Sequence, residues 1–201
     1  MQAVYRQTTD SMPQQNRTRG LLETGHAEAT TNREERLFDS LLRSESHFLL
    51  ATDPALIPPL LRHFSENLRR MSLCNETGLI RVTMALCEAL LSAMVHGNLE
   101  IDPDDCALDE NACRKLIEAR HRQSPYCDRR VHVIAKEMLH EARYTIRYDG
   151  PGPALWQLFD TSDAAALAAG DTGLLLIRML MDEVMPNEMG NEITLVKRRD
   201  R

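Results

Sequence analysis

Glu88, Ser92 and His96 follow one another at four-residue intervals inside LIRVTMALCEALLSAMVHGNLE, residues 79–100, a stretch that is otherwise almost wholly apolar. At 3.6 residues per turn this spacing keeps the three polar side chains close to one stripe of a helix. Val82, Met84, Leu86, Leu90, Leu91, Met94 and Val95 occupy the other faces and are apolar enough to be buried. A carboxylate on such a helix is costly unless a partner, a ligand or a chemical role offsets the cost. The plainer alternative is a core helix whose Glu88 bonds a backbone group or a basic side chain. The helix is expected to end at His96-Gly97-Asn98, with Gly97 in the left-handed cap position.

Two other stretches break regular structure in ways that invite a ligand. Asp149-Gly150-Pro151-Gly152-Pro153 holds too much Gly and Pro to be regular. Gly170-Asp171-Thr172-Gly173 opens the apolar helix LLLIRMLMDEV. His132 and His140 have no acidic or Cys neighbours at metal-ligand spacing. The five cysteines (Cys74, Cys87, Cys106, Cys113, Cys127) form no CxxC pair, and Cys87 sits in the apolar helix. They read as reduced thiols of a cytoplasmic protein.

The elements that must position these residues can be taken in order. Residues 1–45 read as a mobile N-terminal tail, polar up to about Asn32, in which Leu37, Phe38, Leu41 and Leu42 give Arg33–Arg43 the spacing of a short amphipathic helix. The folded domain is expected over 46–201. HFLLAT reads as a strand, Asp53 as an N-cap and Pro54 as the first helical residue, with Pro58 and Pro59 bending the next helix or delaying its start. Ile101–Asn111 reads as an acidic loop and Ala112–Arg122 as a helix. Arg130–Ala135 and Ala142–Tyr148 form a hairpin turning near Leu139-His140-Glu141. Pro153–Ala169 holds the single Trp, Trp156, and the last helix is followed by strands near Val184 and over Ile193–Lys197. This order predicts an α/β (α+β) two-layer sandwich, a mostly antiparallel mixed sheet with helices on one face.

Composition narrows the function classes. The chain has 201 residues, 43% hydrophobic and 27% charged, which suits one main domain with a sizeable core. A formal net charge of -6 gives no electrostatic case for nucleic acid or an anionic membrane surface, and Arg129-Arg130 and Lys197-Arg198-Arg199 are too short to change that. The N-terminus lacks an apolar leader, and no apolar run is expected to reach membrane-spanning length.

EALLSAMVHGNLE, RYDGPGP and TGLLLIRMLMDEV, in that order and spacing, resemble the histidine-kinase-like ATPase superfamily of gyrase B, heat-shock chaperones, mismatch-repair proteins and sensor kinases. The likeness covers roughly His47 to Arg199 and is greatest to the bacterial anti-sigma-factor serine kinases. The resemblance implies ATP and magnesium as cofactors and a set of site residues. Glu88 stands at the family's general base. Ser92 stands where the family has a magnesium-binding Asn, and a hydroxyl is the poorer ligand. Tyr148 stands where an Asp accepts a hydrogen bond from adenine, ahead of Gly150 and Gly152. Asp149, one residue on, should point to the opposite face of its strand. Asp171, Thr172 and Gly173 stand at a phosphate-binding Gly-x-Gly, with Asp171 in place of the first Gly. Asn98 completes the nucleotide-binding set.

With adenine, magnesium and phosphate positions each altered, the resemblance implies a signalling module that binds a protein partner, a sigma factor or its antagonist, with weak or lost ATP use. The alternative it implies is an active ATP-dependent serine kinase. A homodimer is compatible with either; nucleic acid and membrane are not expected partners.

Overall fold

A computed structural model of the chain describes residues 37, 40–102, 109–151 and 172–200, apart from the side chains of Glu110 and Thr172. The tail, most of the Arg33–Arg43 helix, the Trp156 segment, Gly152 and Asp171 lie outside the described residues. The chain divides into two compact units, 1–40 and 41–201. The second unit holds the whole five-stranded sheet.

Arg43, expected in a helix, instead begins strand β1 (Arg43–Ala51). Its residues alternate: Ser44, Ser46, Phe48 and Leu50 are half-buried, while Arg43, Glu45, His47, Leu49 and Ala51 are exposed. Asp53 then accepts the N–H of Ala55 at 2.9 Å and Pro54 opens a 3-10 turn, Pro54–Leu56. That turn leads into α1 (Ile57–Arg70). Pro58 and Pro59 occupy the first turn of α1, where a missing N–H costs no helical bond, so they mark a start and not a bend.

Helix α2 (Glu76–Ser92) is capped by Asn75, whose side chain accepts the N–H of Gly78 at 2.8 Å. It continues into a wide π turn, Ala93–Asn98, where the N–H of Leu99 reaches back five residues to the carbonyl of Met94 at 3.0 Å. The left-handed residue here is Glu100 (φ 54), not Gly97 as the sequence suggested. Gly97 is needed for a different reason: a Cβ there would stand 2.6–2.9 Å from three ring carbons of Tyr148. By length and apolarity Glu76–Asn98 could cross a membrane, contrary to expectation. A little over half of it is buried, as suits a core helix.

Helix α3 (Glu110–Arg120) starts on an Asp109 cap and precedes β2 (Arg130–Met138) and β3 (Glu141–Tyr148). Helix α4 (Thr172–Leu180), β4 (Glu183–Pro186) and β5 (Glu192–Arg198) complete the domain. The sheet order is β1-β2-β3-β5-β4 and every pair is antiparallel, so among the described residues the sheet is not mixed. Residues from α1, α2, α4 and alternate positions of β2, β3 and β5 share one core that includes Phe64, Leu86, Leu90, Val133, Ile146 and Leu195. Val95, Leu99, Ile101 and Cys113 form a smaller cluster. The expectation of reduced thiols fails at Cys113, which is disulfide-bonded, and Cys74, Cys87 and Cys127 are free.

The basic run at the C-terminus is not an open patch. Lys197 is buried and pairs with Asp182 at 3.2 Å and Asp200 at 2.9 Å. Asp200 also accepts the N–H of Asn75 at 3.0 Å, tying the end of the chain to the start of α2.

One buried carboxylate sits in the core away from the motifs. Glu137 is fully buried and accepts from Asn67 Nδ2 at 2.7 Å and Tyr144 Oη at 3.0 Å. Burial pushes its pKa above the ordinary value, and those two donors only partly oppose the rise. A raised folded pKa means that the stability this group contributes is complete below the unfolded carboxylate pKa and is lost as pH rises through the folded one. Glu137→Gln should therefore flatten the wild-type decline in stability on going from pH 4 to neutrality, measured by urea unfolding across that range. An unchanged slope would show that Glu137 is ionised without penalty.

Candidate functional site

The family motifs converge at the C-terminal end of α2. Asn98 is fully buried at the meeting point of four segments. Its Nδ2 donates to Thr52 Oγ1 and to the carbonyl of Arg130, both at 3.0 Å. Its Oδ1 accepts the N–H groups of Asp149 at 3.0 Å and Gly150 at 2.9 Å. An amide has two donors and one oxygen with two lone pairs, so this side chain has no capacity left. Asn98 is thus a clamp joining the π turn to the loop after β1, the start of β2 and the end of β3. That corrects its assignment as a nucleotide ligand.

The backbone at this end is held as firmly. Helix ends leave carbonyls without partners, and here side chains take them one after another. Arg129 donates to the Asn98 carbonyl and pairs with Glu100 at 2.6 Å. Arg120 donates to the carbonyls of Leu99 at 2.5 Å and Glu100 at 2.6 Å. His96 Nδ1 donates to the Ile101 carbonyl at 2.6 Å. Tyr126 lies between the two guanidinium groups, each 5.1 Å from its ring centre. Sequence reasoning missed Thr52, Arg120 and Tyr126 and dismissed Arg129-Arg130 as too small a patch. The usable signal was the absence of any other partner for so many carbonyls beyond a buried helix.

Tyr148 is also buried, with its ring against Gly97 and its hydroxyl donating to the Gly190 carbonyl at 3.1 Å. It fills the position at which the family's adenine-binding Asp stands. Asp149 points away, to the open face of the sheet, where it accepts the N–H of Arg130 and meets His132 Nε2, both at 3.0 Å. That face carries a groove of about 280 Å³ lined by residues including Leu49, His132, Ile134 and Arg147. Gly150 is buried against α2's end: a Cβ on it would overlap the Gly97 carbonyl oxygen.

Glu88 and Ser92 are half-buried on α2. The Glu88 carboxylate has no hydrogen-bond or ion-pair partner among the described residues. It lies instead against the first turn of α4, where a Cβ on Gly173 would overlap Oε1 and stand 3.0 Å from Cδ. The structure thus brings Glu88 and Gly173 together at one point, and Gly97, Asn98, Tyr148 and Gly150 at another. Thr172 begins α4.

A two-layer domain with an antiparallel sheet, whose long central helix meets a Gly-containing strand end and a Gly-opened helix, is the architecture of a nucleotide-dependent regulatory ATPase. A sequence model of the histidine kinase-like ATPase domain matches residues 50–197, and the chain belongs to that family. A search of curated protein sequences gave no match to the chain.

Family membership implies ATP and magnesium, and the described residues can be tested against them. The phosphate end keeps Gly173 at a helix N-terminus. The metal end offers the hydroxyl of Ser92, the Asn98 amide is used up, and no group of three His, Cys, Asp or Glu among the described residues could hold a metal. The adenine end is occupied by a tyrosine ring. The described residues do not fit a magnesium nucleotide in the family's manner.

Proposed function

We propose that this chain is a signalling module of the histidine kinase-like ATPase family that acts by binding a protein partner and makes weak use of ATP or none. The observation that carries this reading is Tyr148, buried and anchored where the family recognises adenine. Lost adenine recognition cannot be replaced by Asp149, whose carboxylate is committed on the other face of the sheet. The partner class is a sigma factor or an antagonist-like regulator in bacterial, cytoplasmic signalling, on the likeness to anti-sigma kinases. The 46–201 segment is the binding domain in this reading and the tail is an accessory to it.

One observation favours the second reading, a serine kinase. Glu88 is unpaired and stands at the Gly173 turn, which suits a base whose proton acceptance depends on being free. Thermal unfolding with and without millimolar ATP and magnesium separates the two. A ligand that binds only the folded state stabilises it by about 2.7 kcal/mol at a hundred times its Kd. No shift with MgATP or ADP is the expected result. A clear magnesium-dependent rise would overturn the proposal and establish nucleotide binding.

A further inference from the structure

Helix α2 is apolar on every side, yet one side is uncovered. Ile80 is 59% exposed and Met84 46%, and Cys87 and Leu91 are half-buried. These four are spaced by four, three and four residues, the repeat that places side chains along a single seam for a second helix. A helix apolar all round is normally buried all round, so the seam is the part of α2 that lacks its neighbour.

The residues flanking the seam say what that neighbour is. Arg81 and Glu88 lie on the same side of it, seven residues and hence about 10 Å apart, too far to pair within one helix. Arg81 is exposed and makes no salt bridge among the described residues, and Glu88 is likewise unpaired. Opposite charges at equivalent flanking positions, neither of them ion-paired, match themselves when a copy of the helix is turned round. With Met84 opposite Cys87 and Ile80 opposite Leu91, each Arg81 falls beside the other copy's Glu88, twice by symmetry.

We propose that α2 packs antiparallel against α2 of a second copy of this chain, through Ile80, Met84, Cys87 and Leu91, with two reciprocal Arg81–Glu88 ion pairs. The second copy thereby delivers a cation to the carboxylate that faces Gly173, so the state of that site depends on association. The interface needs no nucleotide, and its test is independent of the function proposed above.

Sedimentation velocity of the full chain without nucleotide, at tens of micromolar, should show a dimer. Met84→Glu, at a half-exposed position, should give a monomer with unchanged circular dichroism. Arg81→Glu should weaken the dimer about tenfold, and adding Glu88→Arg should restore it. Because Glu88→Arg could disturb α4, Met84→Cys supplies a second readout: mild oxidation should link it to Cys87 of the other copy and give a covalent dimer on a non-reducing gel. A wild-type monomer, a dimer that survives Met84→Glu, or charge reversal without effect together with no cross-link would each overturn the proposal.

Discussion

Asn98→Ala is expected to cost about 3–5 kcal/mol of folding stability, because each buried polar group left without a partner costs about 1–3 kcal/mol and four lose one. The orphaned groups are Thr52 Oγ1, the Arg130 carbonyl and the N–H groups of Asp149 and Gly150. Thr52 keeps a bond to the Arg129 carbonyl at 3.1 Å, and Asp149 and Arg130 keep other partners, which places the sum below a simple total. Against a typical domain stability of about 5–15 kcal/mol, such a loss leaves a marginal protein. Urea unfolding at neutral pH measures it. Asn98→Asp keeps the acceptor but loses both donors and buries a charge, so it should recover little. A cost below about 1 kcal/mol for the alanine variant would mean that water satisfies the junction, and the clamp would be discarded.

Gly150→Ala is expected to be as damaging or worse, with about 3 kcal/mol or more lost, and Gly97→Ala milder. The difference lies in what each methyl group meets. At Gly150 it overlaps the Gly97 carbonyl oxygen and comes within 2.9–3.0 Å of further backbone, which no rotamer can relieve. At Gly97 it meets the Tyr148 ring, a side chain that truncation can remove. Gly97→Ala combined with Tyr148→Leu should therefore be less than additive, whereas no side-chain change should rescue Gly150→Ala. Thermal midpoints of the three variants and the double variant decide this. Equal costs at the two glycines would show that the junction yields as a whole. Gly173→Ala makes a useful contrast, because its methyl group meets only the end of the Glu88 side chain, which can swing aside.

The order of helices and strands was legible because each carries a local signal. The alternation in β2 and β3, the Asn75 and Asp109 caps and the apolar density of α2 all depend on neighbours within a few residues. Strand β1 was misplaced at its start because Leu37 to Leu42 happen to repeat at helical spacing, and pairing with β2, nearly ninety residues away, decides where the strand begins. The outward turn of Asp149 could be anticipated, since strands alternate. The use made of Asn98 could not: its four partners come from positions near 52, 130 and 150, and only the fold assembles them. The same applies to Arg120 and Arg129, whose targets are backbone carbonyls that no residue type announces. Glu88 was found as a carboxylate in an apolar helix, but its neighbour Gly173 was predicted from motif order and not from contact.

The wide turn at Ala93–Asn98 has a consequence for how this gene can change length. A π turn is an α-helix holding one residue more than its circle needs, so removing a single residue from it leaves a plain helix and breaks no core contact upstream. The helix would survive; the address of everything after it would not. Each residue downstream would be turned by about 100°. Asn98 would then swing out of the junction while Glu88, four residues before the turn begins, stayed in place. Single-residue deletions anywhere in this turn should thus share one phenotype, whichever residue is lost, whereas substitutions there should differ from position to position.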